Sequence, residues 1–378
     1  MRRRPVLVFP NAHQRGGVER ITWQVLRHLS ARGPVVFVGH SIEPALPGVQ
    51  HVEVEPHGGR ATSPFRFRAA AARAIEQVRR PDDVVVSFGA NCPPGDVRVV
   101  NSVHRAWLRR GRPIRVGGRT VPNAFRYVLA RHLVLLALER SYFRAERSGP
   151  VVAVSDEVAS DLGELYGLPR DRVSVIPNGF DEEQCSPRRR QANRAVQRAE
   201  WGIADGALAL LFVANELHRK GFDCLLEAVA LAGEPSMEIH VVGRAPIEPY
   251  SARISDLGLQ ARVNYHGSVD IGLAHAAADA LVLPTQYEAF ALTVVEALAS
   301  GLPVITTTVP GAGDRISDGL NGLLQHDPSN AVELAGLLTQ ISDADTRMRL
   351  GAAGPASVAD LEWDQLAGQL DALIQESP

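Results

Sequence analysis

Pro284-Thr-Gln-Tyr-Glu-Ala-Phe-Ala-Leu-Thr-Val-Val-Glu-Ala-Leu-Ala-Ser-Gly-Leu-Pro-Val-Ile305 decides how this chain reads. An apolar run, Ala280–Pro284, ends on a proline. A short loop follows, a helical pattern opens near Ala291–Thr293, and the next strand-like run is Pro303–Thr307. Strand, loop, helix and strand in that order make a βαβ unit of a parallel sheet, whose ligands lie at the carboxyl ends of the strands. The loop carries Glu288, and Glu296 falls on the first or second turn of the helix. N–H groups at such a helix start suit an anion such as a diphosphate. Two carboxylates suit hydroxyls instead, which sugars present in pairs, and each charge-assisted bond contributes about 1.5–3 kcal/mol. The plainer reading sets Glu288 against a helix dipole and Glu296 on a solvated face.

Outward from this unit the same alternation continues. The second half reads as strands at Leu208–Ala214, Glu238–Gly243, Arg262–His266, Ala280–Pro284 and Pro303–Thr307. The first half reads as strands at Val6–Phe9, Val35–Val38, Val84–Ser87, Val97–Asn101, Val151–Val154 and Val173–Pro177. Helical patterns between them predict an α/β protein of two doubly wound domains. The expected division is 1–180, a linker at 181–200 marked by Pro187 and Arg188-Arg189-Arg190, and 201–360. Trp363, Leu366, Leu370 and Leu373 recur at helical spacing, so 361–378 is expected to form a last amphipathic helix returning to the first domain.

Bulk composition narrows the class. The chain has 378 residues, 45% hydrophobic and 22% charged, as a soluble globular protein does. No run of eighteen apolar residues is present to span a membrane. The start Met-Arg-Arg-Arg-Pro leads into Val6–Phe9, which reads as a first strand rather than a leader. Cys92, Cys185 and Cys224 lack metal-ligand spacing and are expected to be thiols in a reducing cytoplasm.

Of the 40 basic residues, 39 are arginine, and the single lysine is Lys220 in Arg219-Lys-Gly221. A chain that uses arginine for generic charge and an ammonium once points to a compact, rotatable cation at that place. Lys220 follows the strand Leu208–Ala214, where a phosphate-binding cation would sit. Chance survival of one lysine is the alternative.

Taken together, Glu288 and Glu296 with Ala-Leu-Ala-Ser-Gly-Leu-Pro-Val-Ile resemble the signature of the retaining glycosyltransferases of family four, with the GT-B fold. Four further segments in order strengthen the resemblance. Gly16-Gly17-Val-Glu-Arg20 is similar to the family's glycine loop, and Val175-Ile-Pro-Asn-Gly-Phe-Asp181 to its domain-boundary motif. Arg219-Lys220-Gly221 resembles its diphosphate-binding pair, and Asp318-Gly-Leu-Asn-Gly322 its late turn. The resemblance implies two Rossmann-like domains facing across a cleft, the acceptor in the first and a nucleotide diphosphate sugar in the second.

It also implies roles. Glu288 would contact the transferred sugar, and Glu296 would hold the nucleoside ribose. Arg219 and Lys220 would neutralise the departing diphosphate, which is why no metal cofactor is expected. Backbone N–H groups around Phe290, Ala291, Leu292 and Thr293 would complete the phosphate cradle, with Gly16, Gly17 and Gly243 also on the donor. His104, in Asn101-Ser-Val-His-Arg105, matches a histidine placed beside the sugar; a packing or capping histidine is the alternative. Asn11 and His13 are candidates for the acceptor.

The chain departs from the pattern at three places. Ala291 stands where glycine is common, Ala214, Asn215 and Glu216 where an arginine is common, and Asp314 where glutamate is common. These leave the donor's identity open, with a UDP-sugar favoured over GDP-mannose. A sugar phosphorylase or epimerase on the same fold, and a nucleotide-sugar-binding protein without transfer, are the competing functions.

Charge is unevenly spread. Residues 1–185 carry an excess of +9 and residues 186–378 an excess of −11, within a net −2. Twelve arginines in 98–147 face only Glu139 and Glu146. With Trp107, Phe125, Tyr127, Tyr142, Phe143 and the run Leu133–Leu138, this segment reads either as a solvated face over buried leucines or as a surface for an anionic or lipid-linked acceptor at the inner face of a membrane. No nucleic-acid motif accompanies it.

Overall fold

The computed structural model describes residues 2–14, 16–55, 63–110, 114–116, 119–121, 130–144, 149–311 and 313–377. Phe125, Tyr127 and Glu146 lie outside them. The chain forms two compact units, residues 1–178 with 363–378 and residues 179–362.

In the first unit the elements run β1 (Arg4–Val8), β2 (Asn11–His13), α1 (Val18–Ser30), β3 (Val35–Gly39), β4 (Ser41–Glu43), β5 (Val49–Glu53), α2 (Ser63–Val78) and β6 (Asp83–Phe88). They continue with β7 (Val97–Val100), α3 (His104–Arg110), β8 (Ile114–Val116), β9 (Arg119–Val121), α4 (Ala130–Tyr142), β10 (Val151–Ala153), α5 (Asp156–Tyr166) and β11 (Val173–Val175). Seven strands form one parallel sheet in the order β11-β10-β7-β6-β1-β3-β5. Alternation along each strand builds two cores, because successive side chains point to opposite faces. Leu7, Phe37, Val84 and Val86 pack on one face with Ile21, Trp23 and Leu26 of α1; Val6, Val8, Val36 and Val38 pack on the other with Phe67, Ala71 and Ile75 of α2.

The second unit holds α6 (Pro187–Glu200), β12 (Leu208–Val213), α7 (Phe222–Ala232), β13 (Met237–Val242), α8 (Ser251–Asp256), β14 (Val263–Tyr265), α9 (Ile271–Ala277) and β15 (Ala280–Leu283). After these come α10 (Leu292–Ala299), β16 (Val304–Thr307), β17 (Leu323–Gln325), α11 (Ala331–Ile341) and α12 (Ala344–Ala353). Its six-stranded sheet is ordered β14-β13-β12-β15-β16-β17 and every pairing is parallel. The last helix, α13 (Trp363–Glu376), belongs to the first unit, where Trp363, Leu370 and Ile374 join the α1 face of the core. Arg2 clamps it with two bonds of 2.8 Å to Asp371.

Residues 181–200, expected as a linker, are a correction. Fourteen of them form α6, which lies in the second unit. Pro187 stands in its first turn, where a missing N–H costs nothing. Arg190, Arg194 and Arg198 recur every fourth residue and so share one face. Arg190 donates to the carbonyls of His275, Ala278 and Gly301, Arg194 to that of Ala278 at 2.9 Å, and Arg198 to that of Ala277 at 3.1 Å. These groups satisfy the unpaired carbonyl end of α9, and Asp279 binds Arg194 and Arg198 beside it. Arg190, Arg194 and Arg198 thus fasten the helix to its neighbours.

Candidate functional site

In the second unit the site is built where β12 and β15 end. Gly221 has φ +86°, and a Cβ there would lie 2.0 Å from the Pro284 carbonyl oxygen, so only glycine lets these two loops touch. Gln286 N–H then donates to the Arg219 carbonyl at 3.0 Å, locking loop to loop. This contact brings Lys220 against Glu288, 68 residues away in sequence. Lys220 Nζ donates to Glu288 Oε1, Thr285 Oγ1 donates to the same oxygen at 3.0 Å, and Arg219 Nη1 lies 3.5 Å from it. Arg219 also donates to the Tyr287 carbonyl at 2.7 Å and, through Nε, to Glu216.

Glu288 is 5% exposed and sits among two cations and a hydroxyl. Burial is the largest influence on Lys220 and pushes its ammonium below the ordinary lysine range, against the pull of Glu288. Burial also opposes charge on Arg219, but Glu288 and Glu216 together hold that guanidinium above its usual value. Glu216, which stands where an arginine is common, is exposed and shares the charge of Arg219.

The segment 290–293 opens α10. Ala291 caps it at φ −83° and ψ 74°, a conformation open to residues with side chains, so the alanine fits where glycine is common. Ala291 N–H donates to the Gly311 carbonyl at 2.7 Å, and Gly311 N–H to Asp314 Oδ2 at 3.0 Å. Asp314 thus braces the loop beneath the helix start. Leu292 and Thr293 are the first two residues of α10, and Glu296, 3% exposed, lies on its second turn. Gly243 follows β13 at φ +145°; a Cβ there would stand 1.9 Å from the Ala214 carbonyl oxygen, so backbone packing alone demands glycine.

The first unit holds the remaining predicted residues. Asn11 and His13 lie on the short strand β2 rather than in a loop; β2 pairs with β4, and Asn11 Oδ1 accepts from Ser41 Oγ at 3.0 Å. Gly16 has φ +93° and Gly17 caps α1. His104 begins α3, and its Nε2 lies 3.0 Å from Nδ1 of His132. Trp107 stacks on His104 at 5.4 Å and lies tilted against His132 at 5.5 Å. The α3 start is capped by Glu139, which accepts from the N–H groups of His104 and Arg105 and from Tyr166 Oη at 2.6 Å. Burial raises the Glu139 carboxyl, with those three donors pulling the other way.

His132, Glu139, Thr285 and Gln286 were not legible as site residues. Glu139 alone left a signal, as one of two carboxylates among twelve arginines. Those arginines also divide. Arg98 is buried and donates to the Tyr142 carbonyl at 3.1 Å, so it does not belong to a solvated face, whereas Arg110 is exposed and bidentate to Asp161. Among the described residues no helix is long and apolar enough to cross a membrane.

Comparison with known proteins agrees with this layout. Residues 15–184 match the family described as Glycosyltransferase Family 4, and residues 193–356 match Glycosyl transferases group 1. A D-inositol 3-phosphate glycosyltransferase of Nocardia farcinica is 32% identical over 232 residues, 57% of this chain and 50% of that protein. One of Geodermatophilus obscurus is 28% identical over 390 residues, 91% and 82% of the two chains. The chain therefore spans about half the length of the first relative and most of the second. Among solved structures, WaaG, a glycosyltransferase involved in lipopolysaccharide biosynthesis, superposes with a TM-score of 0.84 at 23% identity, covering 98% of this chain and 100% of its own. Anabaena HepE in complex with UDP-glucose gives 0.70 at 19% identity, with 98% of each chain covered. With both halves matched and the GT-B fold shared, the chain belongs to the group 1 glycosyl transferases of glycosyltransferase family 4.

Proposed function

We propose that this chain moves a hexose from a nucleotide diphosphate sugar to an acceptor hydroxyl, with retention of configuration and without a metal. A UDP-sugar is the favoured donor and GDP-mannose the second. The products would be a glycolipid, a cell-envelope polysaccharide or a glycosylated metabolite, made in the cytoplasm or, for a lipid-linked acceptor, at the inner face of the membrane. The observation that carries this reading is the convergence of Arg219, Lys220 and Glu288 beside the start of α10. The relatives' names and the UDP-glucose complex of HepE support it.

In this reading the second unit takes the donor. Arg219 and Lys220 stabilise charge as the bond from the sugar's anomeric carbon to the diphosphate breaks. The acceptor oxygen bonds to that carbon on the same face, and its proton passes to the departing phosphate oxygen. Glu288 receives the sugar hydroxyls, Glu296 the ribose, and the N–H groups of Phe290 and Thr293 the phosphates, since those of Ala291 and Leu292 already bond the Gly311 and Phe290 carbonyls, with Gly243 nearby. Lys220 exchanges its bond to Glu288 for the diphosphate, which frees the carboxylate for the sugar. In the first unit His104 bonds the sugar, Gly16 and Gly17 approach the donor, and Asn11 and His13 meet the acceptor.

The test is a thermal-shift panel of UDP-, GDP-, ADP- and dTDP-sugars without added metal, on the wild type and Lys220→Ala. One nucleotide class should raise the wild-type Tm and leave the variant unmoved. A shift of equal size in both proteins would remove the donor site from Lys220. Retention is checked by NMR of the product, where an inverted anomer would overturn it.

A further inference from the structure

Between α3, α4 and α5 the first unit has a partly open cavity of about 590 Å³, lined by none of the residues assigned above to the donor or the acceptor. Three guanidinium groups line it, those of Arg105, Arg140 and Arg144, and no carboxylate is among its described lining residues. Arg105 is fixed: its Nη1 donates to the Leu165 carbonyl at 3.0 Å and its guanidinium lies 6.0 Å from the centre of the Tyr166 ring. Arg140 and Arg144, four residues apart at the end of α4, have no hydrogen-bond or ion-pair partner among the described residues. The nearby carboxylate of Glu139 is already occupied by two backbone N–H groups and Tyr166.

The carbonyl end of α4 favours one cation. It does not account for three, since like charges this close repel. Arg189, Arg194 and Arg198 of α6, all half-buried, by contrast each meet a carboxylate. Three forked donors without an acid match the oxygens of a phosphate, which carries about −1.5 to −2 charge near neutrality. The rest of the lining is apolar, with Leu136, Phe143 and Tyr166 forming a wall beside the cations.

We propose that this cavity binds a phosphate-bearing amphiphile, its phosphate on Arg105, Arg140 and Arg144 and its apolar or ring-bearing body against Phe143 and Tyr166. The site is separate from Lys220 and stands on the cavity alone, whichever donor the second unit takes. Its ligand is either a soluble phosphorylated compound or a lipid with a phosphate headgroup.

Calorimetry on the full chain with dihexanoyl phosphatidic acid, below its micelle concentration, tests this. Wild type and Lys220→Ala should bind alike, while Arg140→Gln/Arg144→Gln should bind about tenfold or more weakly, the loss expected for charge-assisted bonds. Dihexanoyl phosphatidylcholine, whose phosphate is shielded by choline, should give no heat. Both arginines are at the surface, and an unchanged Tm in the double variant confirms its fold. Sedimentation with phosphatidylcholine vesicles containing phosphatidic acid then separates the sources. Arginine-dependent co-sedimentation identifies a lipid headgroup, and monomer binding without it identifies a soluble ligand. No binding to wild type at millimolar concentration, equal binding to the double variant, or loss in Lys220→Ala would overturn the proposal, the last by moving the anion to the donor site.

Discussion

Each unit holds two imidazoles 3.0 Å apart beside a tryptophan, and the two sets do different work. In the second unit His240 Nδ1 meets His266 Nε2, Trp201 stacks on the two rings at 5.5 and 3.8 Å, and Glu238 lies 3.2 Å from His240 Nε2. His240 sits within β13 at 0% exposure, and burial pushes its imidazole down to about 4. This pair stays neutral near pH 7, and because Trp201 caps the end of α6, the stack fastens that helix to the sheet. In the first unit His104 and His132 meet at the start of α3, beyond the carboxyl end of β7. Similar rings at similar spacing are a brace inside a sheet and a candidate for chemistry past its end. Position relative to the strand ends, more than residue type, decides which groups a ligand can reach.

Substitutions past strand ends should therefore act on turnover, and those within sheets on stability. The largest effect belongs to Lys220→Ala, where kcat/KM should fall about 10²–10³-fold with the fold intact. A loss smaller than about threefold in steady-state assays would break the assignment. Next comes acid. The His240 imidazole titrates near 6.5 when unfolded and about 4 when folded, so the unfolded chain binds more protons between those values. Stability is thus full above pH 6.5 and is lost as pH falls toward 4, by about 3 kcal/mol in all. His266, lowered by burial, acts in the same direction. Denaturant unfolding at pH 7 and 4.5 should show the loss, and His240→Phe, which keeps a ring against Trp201, should reduce it; an unchanged acid slope would remove His240 as the cause.

Smaller still, Glu296→Ala should weaken donor binding about tenfold or more while sparing Tm, since a charge-assisted bond to a hydroxyl contributes about 1.5–3 kcal/mol. An unchanged donor Kd in calorimetry contradicts the ribose role. The smallest effect is expected of His132→Ala, which removes one bond orienting His104, about 1 kcal/mol or a few-fold in kcat/KM. His132→Asn, with an amide able to replace that bond, should recover most of it. Equal loss in both variants would mean that His132 acts through packing against Trp107.

Much of the site was readable because its groups stand in loops directly after apolar runs. Glu288, Arg219 and Lys220 were visible for that reason. What the order of residues did not disclose was their meeting, which depends on a glycine at φ +86° fitting under the Pro284 carbonyl. The edge strand Val49–Glu53 escaped notice because its residues are half-exposed or exposed, leaving no continuous apolar run. The run Arg188-Arg189-Arg190 looked like a solvated boundary, since the carbonyls that Arg190 satisfies lie 85 to 111 residues downstream.

By itself the sequence determined the class of fold, the strands of both sheet centres, the family and the loops that carry chemistry. Alternating apolar runs and the identities of a few polar residues are local properties, and a linear reading preserves them. Tertiary structure alone decided that α6 belongs to the second unit, that Lys220 shares Glu288 with Thr285, that His104 has His132 for a partner, and that three of twelve arginines surround one cavity. Each of these is a pairing of groups distant in sequence, set by which backbones can approach and which buried charges and carbonyls need partners.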